Sequence, residues 1–475
     1  MKASKDIISG KRYAPKNLGK VLVLGCGKTG AAVLDYCLSV NPDRIESITV
    51  AIDSVKGSCA KTLATYKEKG ILVCSAADEI TKQYNLCIAS PGISPSSELF
   101  QKASSHSEEL ISEVEFAWRE SDVKSSWIAI TGTNGKTTTT SLINHILNKA
   151  GKDATAVGNI GNTCIHACKE FSEYYVTELS SYQLECIKLF SPEVAVLLNI
   201  TPDHLTWHGS FEAYAQAKLN VVKNVKDKPS ASLVYDFDNQ ETSERVNEFL
   251  DDNAACQVIA ISVEDSLPKK PFVGIKDGMI VIEDNKAEYK LISEKELIIK
   301  GKHNVSNALA ATAACYAIGL HPDEIAQGLR SFKALEHRIE PCGSVSGVDC
   351  YNDSKATNVD ATLKALQAFD GIKPIVLLGG YDKYTDLTEL VEAAEKYCKA
   401  VVCFGAAKER FYQAFATANV PSKKVDYLED ALDCSLSLAE KGDVVILSPA
   451  CASFDEFSSF EQRGEVFKQL VQKRI

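Results

Sequence analysis

Residues 127–147 read WIAITGTNGKTTTTSLINHIL. Trp127 to Thr131 form a short apolar run of the kind that makes a buried strand, and the residues from Thr137 onward fit a helix. Between them lies Gly132-Thr133-Asn134-Gly135-Lys136-Thr137. A strand that breaks into such a loop and resumes as a helix points backbone N–H groups at an incoming anion, and the helix N-terminus adds positive potential. The glycines let the backbone approach phosphate oxygens. Lys136 can reach the terminal phosphate, and the Thr137 hydroxyl can ligate magnesium. The full pattern has another glycine five residues before Gly135, where this chain carries Ile130. The loop is therefore a variant, supported by the strand before it and the helix after it. It implies nucleoside triphosphate binding and no particular reaction, because one fold hosts many.

Two further strand-like runs follow, YYVTEL at 174–179 and VAVLLNI at 194–200. Glu178 closes the first. A carboxylate at a strand's carboxyl end beside a phosphate loop can hold magnesium, although a helix-capping acid is the plainer alternative. His204 follows the second run in Asn199-Ile200-Thr201-Pro202-Asp203-His204, where it is either a surface residue or a ligand of a second metal. Lys218 lies in YAQAKLN and, taken alone, reads as a solvated helix lysine. Residues 229–300 are more polar and read as short strands and turns. GKHNVSNALAATAACYAIGL at 301–320 reads as a loop and an alanine-rich helix.

Upstream, VLVLGCGKTG at 21–30 is a strand, a tight turn through Gly25, Gly27 and Gly30, and a helix beginning near Ala31. A second strand runs from Ile48 to Ile52 and ends at Asp53. A third apolar run, LCIASPGIS, contains Ser90-Pro91-Gly92. Gly25-x-Gly27-x-x-Gly30 with Asp53 beyond it matches the NAD fingerprint. The same turn can hold the diphosphate of a UDP-sugar by the same helix-terminus physics. No candidate hydride-transfer site accompanies it. Downstream of Leu335, PIVLLGG, AVVCFG and DVVILSP alternate with helical stretches. The expected fold class is α/β in three domains: a Rossmann-like N-terminal domain at 1–114, a central P-loop ATPase-type parallel-sheet domain at 115–334, and a Rossmann-like C-terminal domain at 335–475. Ligands are expected beyond the carboxyl ends of the strands.

The chain of 475 residues has 52 Lys and Arg against 63 Asp and Glu, a net charge of -11. That balance argues against nucleic acid as a partner. The 16 cysteines are scattered among apolar residues and fit a reducing cytoplasm. Cys164 and Cys168 lack a second pair at zinc spacing. No apolar run is long enough for a membrane span, and the N-terminus has no signal-peptide core.

Taken together, GTNGKTT at 132–138, GNIG at 158–161, ELSSYQLE at 178–185, NITPDHL at 199–205 and GKHNVSNALAA at 301–311 resemble the Mur ligases. HR at 337–338, YNDSKATN at 351–358, LLGGYDK at 377–383 and SPACASFDEF at 448–457 resemble the D-glutamate-adding members of that family. The resemblance implies a monomeric cytoplasmic enzyme of peptidoglycan precursor synthesis. It would join D-glutamate to UDP-N-acetylmuramoyl-L-alanine, using ATP, two Mg2+ ions and an acyl phosphate. By the same resemblance, Gly132, Thr133, Asn134, Gly135, Lys136, Thr137 and Thr138 would cradle ATP, with Asn307, Arg338 and Asp353 completing its site. Thr137, Glu178, His204 and a carbamate on Lys218 would hold the metals, with Lys136, His204 and Lys218 catalytic. Lys28, Thr29, Gly30, Asp53, Ser90 and Gly92 would lie near the UDP portion, and Asn159 near the muramoyl-alanine. Thr357, Lys383, Ser453 and Phe460 would hold D-glutamate, and Lys355 would place phosphate or glutamate. Two features depart from the pattern. Val55, followed by Lys56, stands where an arginine is usual, and the extension before Val21 has no implied role. Competing readings are another Mur-type ligase, a folylpolyglutamate synthase, or a nucleotide-binding regulator without catalysis.

Overall fold

Runs of Val, Ile, Leu and Ala that are apolar at every position make strands covered on both faces, and such strands pair in parallel. The computed structural model, which describes residues 7–40, 42–53, 58–250, 254–264, 268–299, 301–333, 335–369, 371–382 and 384–475, builds three sheets from them. The first holds Gly19–Leu24, Ile45–Ala51, Leu72–Cys74, Tyr84–Ala89 and Ser107–Ser112, all parallel, in the spatial order third, second, first, fourth, fifth. The order reverses between Gly19–Leu24 and Tyr84–Ala89, so a crevice opens beyond Leu24 and Ala89.

The central sheet has nine strands. Ser126–Thr131 is flanked by Tyr174–Glu178 on one side and Val194–Leu197 on the other. Ala154–Gly158 lies beyond the former. Ser232–Asp236, Gln257–Ser262 and Phe272–Lys276 extend the sheet beyond the latter, all in parallel. Met279–Glu283 and Glu288–Ser293 finish that side antiparallel. The polar stretch after residue 229 is thus an extension of the sheet. In the third sheet Val348–Asn352, Val444–Leu447, Ile375–Gly379, Ala400–Phe404 and Ser422–Lys424 are parallel, with Glu340–Val345 antiparallel at one edge. The chain forms two compact bodies: Met1–Glu296 with Ser306–Ser331, and Leu297–Val305 with Phe332–Ile475. No helix of the described residues is long and apolar enough to cross a membrane.

Inside the first body a helix, Glu113–Glu120, joins the first sheet to the central one, and all eight of its residues are buried. Its acids are buried because each is matched to donors, the condition under which charge leaves water. Glu120 accepts from Arg44 at 2.7 and 2.9 Å and from the Tyr36 hydroxyl at 2.8 Å, on the first-sheet side. Glu115 accepts from Arg119 at 2.8 Å and from the backbone N–H of Phe190 at 2.7 Å and Leu189 at 3.0 Å, on the central side. Glu113 accepts from the N–H of Ile165 at 2.6 Å. The N-terminal extension also finds its place here. Tyr13 stacks on Trp118 at 5.1 Å, Arg12 pairs with Glu193 at 3.1 Å, and Arg44 donates to the Pro15 carbonyl. The extension is a strap over the junction of the two sheets.

Burial pushes the Glu113 carboxyl up to about 7 from an ordinary 4.5, against two backbone donors that act to lower it. The folded state therefore holds this proton more tightly than the unfolded chain. The resulting stability is fully present below about pH 4.5 and is lost as the pH rises through about 7. Glu113→Gln should flatten this part of the pH dependence, as read by urea midpoints on the acid and alkaline sides of neutrality. A slope identical to that of the unaltered chain would contradict the assignment.

Candidate active site

The phosphate loop leaves the carboxyl end of Ser126–Thr131 and enters the helix Lys136–Lys149. Gly135 caps that helix at φ 83°, and no side chain competes for its first N–H groups. Gly132 has φ 157°, and a Cβ there would lie 2.8 Å from the Leu198 Cβ. A Cβ on Gly135 would be driven into the Asn307 side-chain oxygen. Both glycines are therefore required by close approach as well as by backbone angle. Asn199 holds the loop from the neighbouring strand end: its Oδ1 accepts from the Asn134 N–H at 2.9 Å and its carbonyl from the Thr133 N–H at 2.6 Å. Thr133 Oγ1 lies 2.9 Å from the Tyr214 hydroxyl, and the Thr139 hydroxyl donates to Asn307 at 3.3 Å. Thr137 and Thr138 open the helix.

Lys136 Nζ folds back to donate to the carbonyls of Gly132 and Thr133, both at 2.8 Å. Lys218 Nζ donates to the same Gly132 carbonyl at 2.7 Å. Lys218 is 2% exposed, so the expected solvated lysine is in fact buried. Burial, and secondly the charge of Lys136, holds its amine well below the usual lysine range, with Asp203 opposing. Its Nζ also lies 4.7 Å from the Tyr214 ring. Tyr214 and Asn199 went unassigned in the sequence although both lie in quoted motifs. The one signal for Tyr214 was its spacing of four residues from Lys218 on a helix.

Glu178 ends the strand next to the loop's own, paired with Ile130. It is 2% exposed. Its Oε1 accepts from Asn159 Nδ2 at 2.8 Å, while its buried Oε2 has no hydrogen-bond partner among the described residues. A buried carboxylate oxygen left bare costs about 1–3 kcal/mol, and a divalent cation would offset that cost, so Glu178 fits a metal ligand. His204 has φ 52° and a half-exposed ring, 5.0 Å from Tyr182 and with Nε2 3.4 Å from Asp203. Among the described residues no three His, Cys, Asp or Glu side chains converge on a point. A complete shell here would need oxygen donors beyond those carboxylates and imidazoles, such as hydroxyl and phosphate oxygens. His208, which the sequence reading passed over, is packed beside Tyr182 and Tyr214, 2.9 Å from the Ser181 hydroxyl, with burial pushing its pKa down to about 4.

At the first sheet, Gly25 has φ 87° and a Cβ there would sit 3.1 Å from Ser90 Oγ; a Cβ on Gly30 would enter the Gly25 carbonyl. Gly27 precedes the helix Lys28–Ser39 without a side-chain cap, leaving the N–H groups near Lys28 and Thr29 open. Ser90 Oγ is buried and lacks a partner among the described residues. Gly92 and Asp53 are exposed near the same strand ends. Lys28 Nζ donates to the Gly161 carbonyl at 2.6 Å, which ties the glycine turn to the GNIG loop next to Glu178. Val55 and Lys56 lie outside the described residues. Cys164 and Cys168 are buried along one helix turn, and the described cysteines are free thiols.

The second body gathers its own set. Asp353 follows Val348–Asn352 and accepts from the Ser448 hydroxyl at 2.7 Å; burial pushes its pKa up to about 7, with Arg338 opposing. Lys355 Nζ lies 4.1 Å from the Phe460 ring. The Thr357 N–H donates to the Lys355 carbonyl, and Ser453 is buried in the turn before the helix Phe460–Gln472. Arg463, which no sequence signal singled out, is fully buried. It donates to Ser354 Oγ at 2.9 Å, to the Ser354 carbonyl at 2.9 Å and to the carbonyls of Cys451 and Ala452, both at 3.1 Å. Lys383 lies outside the described residues.

A variant phosphate loop at the switch point of a parallel sheet, with a bare buried carboxylate oxygen and a buried lysine beside it, defines an α/β enzyme that uses a nucleoside triphosphate. Residues 130–315 match the Mur ligase middle domain, and residues 337–451 match the glutamate ligase domain of the Mur ligases. The chain is 37% identical to the UDP-N-acetylmuramoylalanine–D-glutamate ligase of Caldanaerobacter subterraneus subsp. tengcongensis, over 95% of this chain and 98% of that one. It is 38% identical to the protein of the same name from Thermoanaerobacter pseudethanolicus, with the same coverage of both chains. Among solved structures it resembles the UDP-N-acetylmuramate-alanine ligase of Thermotoga maritima, with a TM-score of 0.55 and 19% identity over 96% of this chain and 100% of that one. The chain belongs to the Mur ligase family.

Gly135→Ala should weaken ADP binding by about tenfold or more, since an L-residue in the left-handed region costs roughly 1–2 kcal/mol before the collision with Asn307 is added. Calorimetric titration with Mg-ADP checks this, and wild-type affinity would refute the close-packed loop.

Proposed function

We propose that this chain adds D-glutamate to UDP-N-acetylmuramoyl-L-alanine through an acyl phosphate. Family membership makes it an ATP-dependent ligase of peptidoglycan precursor synthesis that works with ATP and Mg2+. The observation that carries the finer reading is the near-full-length similarity to relatives named for that reaction. The domain boundaries adopted for it are 1–114, 115–334 and 335–475.

The chemistry asks for three things. A carboxylate is a poor electrophile, so the terminal carboxylate of the acceptor takes the γ-phosphoryl group and ADP leaves. The D-glutamate amine then attacks the acyl carbon, and phosphate departs from a tetrahedral intermediate. Water must be kept out while the acyl phosphate exists. In this reading the N–H groups of Gly132 to Thr138 hold the triphosphate, and Lys136 swings from its carbonyl partners onto the phosphoryl oxygens, where charge grows in the transition state. Thr137, Glu178, His204 and a carbamate on Lys218 would hold two divalent cations, whose charge would offset that of the phosphates and the acceptor carboxylate.

The burial of Lys218 supports the carbamate. A neutral amine keeps its lone pair; it adds to CO2 at carbon, loses a proton and becomes an anionic oxygen donor. The charge of Lys136, which disfavours an ammonium at Lys218, would instead attract the carbamate anion. Asn307, whose side chain lies beside Gly135, would contact the nucleotide, and by the family resemblance so would Arg338 and Asp353. The turn at Gly25 to Gly30 would take the diphosphate of the UDP group in place of a dinucleotide, with Ser90, Gly92 and Asp53 nearby. Thr357, Lys383, Ser453 and Phe460 would hold D-glutamate, with Lys355 beside them. All of these groups come from one chain, so the reading needs no second copy.

ADP release by the purified protein should require both UDP-N-acetylmuramoyl-L-alanine and D-glutamate. L-alanine, meso-diaminopimelate or folate offered in their place should give none. Activity with one of those instead would reassign the substrate. Lys218→Ala should abolish turnover and regain part of it with a short carboxylate such as acetate; full activity without rescue would remove the carbamate.

A further inference from the structure

The end of Ala154–Gly158 is built around Glu178. Gly158 pairs with Glu178 across the parallel ladder, has φ 98°, and leaves no room for a Cβ beside the Glu178 carbonyl. The next residue, Asn159, grips Glu178 twice: its N–H donates to the Glu178 carbonyl at 2.9 Å and its Nδ2 donates to Oε1 at 2.8 Å. A carboxylate only accepts, so the amide nitrogen must be the atom that faces it. Glu178 itself is 2% exposed, with Oε2 buried and bare, whereas the rest of Asn159 faces solvent. The two carboxylate oxygens are therefore unequal before any ligand arrives.

We propose that Asn159 is a positioning residue for the metal site: its amide fixes the Glu178 carboxylate so that Oε2 alone is presented to the cation. This rests on the reading of Glu178 as a metal ligand, and it assigns Asn159 a different primary task from touching the acceptor. A carboxylate free to rotate would offer either oxygen, and part of the cation's binding energy would go into ordering it. Carboxylate ligands are ordinarily held by an outer hydrogen bond for this reason. Asn159 as a residue is exposed, so it could also meet the acceptor and link the two ligands without being a metal ligand.

The test uses the full chain with ADP and no acceptor, and reads Mn2+ binding by electron paramagnetic resonance. Asn159→Ala should weaken Mn2+ by about 10- to 100-fold, in the range seen when an outer-shell partner is lost, while the affinity for metal-free ADP is unchanged. Turnover should return towards the wild-type kcat as Mg2+ is raised. Wild-type Mn2+ affinity in the variant overturns the proposal, whatever happens to the acceptor KM. Should Asn159→Ala fail to fold, Asn159→Ser keeps a small polar group on the same backbone and carries the same two outcomes. The binding measurement needs no catalysis. If the unaltered chain binds Mn2+ with ADP but releases no ADP in the ligase assay, the substrate assignment fails and this inference is still judged on its own.

Discussion

The Gly132 carbonyl accepts hydrogen bonds from two lysine side chains, Lys136 and Lys218, and much of the catalytic edge can be understood from that crowding. Two ammonium groups converging on one oxygen repel each other, and the more buried of them, Lys218, yields its proton more readily. The loop is held by its neighbours: the Thr133 hydroxyl bonds Tyr214 and Thr201, and the Asn134 backbone N–H donates to Asn199. Glu178 stands opposite Ile130 on the next strand, bringing negative charge to an edge otherwise dominated by donors. Neighbouring strand ends thus put a loop of backbone donors beside a buried carboxylate oxygen without a hydrogen-bond partner among the described residues, a pairing suited to an anion and a cation held together.

The junction between the first two sheets uses charge differently. In the helix Glu113–Glu120 the carboxylates are construction material, each satisfied by guanidinium, hydroxyl or backbone donors from the segments it joins. Removing one partner from such a buried set costs about 3–5 kcal/mol, because it strands the other. The aromatic strap, with Tyr13 and Arg12 on Trp118, closes the same junction from outside. The Lys28 contact with Gly161 adds a link at the carboxyl edge itself. The glycine turn at Gly25 to Gly30 and the strand that carries Glu178 are thereby parts of one body, so the distance between them is set by the fold.

The parallel cores were legible because a strand buried on both faces leaves an unbroken apolar run. Val194–Leu197 and Ile375–Gly379 are buried at every position and could be read from sequence. The stretch 229–300, read as short strands and turns, holds the hairpin of Phe272–Lys276 with Met279–Glu283, while the hairpin of Glu340–Val345 with Val348–Asn352 went unread because its strands mix buried and exposed positions and leave no unbroken apolar run. Their turns did leave a mark. Asp277-Gly278, at φ 51° and 72°, and Ser346-Gly347, at φ 52° and 84°, are two-residue turns of the type that joins antiparallel strands. At the site, the loop and Glu178 could be read because strand-end chemistry is local. The burial of Lys218 could not, because it depends on a carbonyl 86 residues away in the chain. The partnership of Thr133 with Tyr214 is hidden in the same way by a separation of 81 residues.

Arg463 extends this argument to the second body. Its position three residues into the last helix looks like an ordinary exposed arginine, and nothing in the spacing marks it. Burial pulls its pKa down to about 10, which still leaves it charged at neutral pH. None of the four acceptors it binds is a carboxylate. Such a cation is tolerable only if the carbonyls of Cys451 and Ala452 and both oxygens of Ser354 are held towards it, so the guanidinium fixes the turn of SPACAS and the start of NDSKATN against each other. The first body places helix N-termini directly after the glycine turns at Gly27 and Gly135, an arrangement whose donors are backbone groups. The second has no glycine-rich phosphate loop among its described residues and instead fixes its two motif turns around a buried charge. A buried charge of this kind holds the two motif turns at one spacing, and the side chains they carry inherit it.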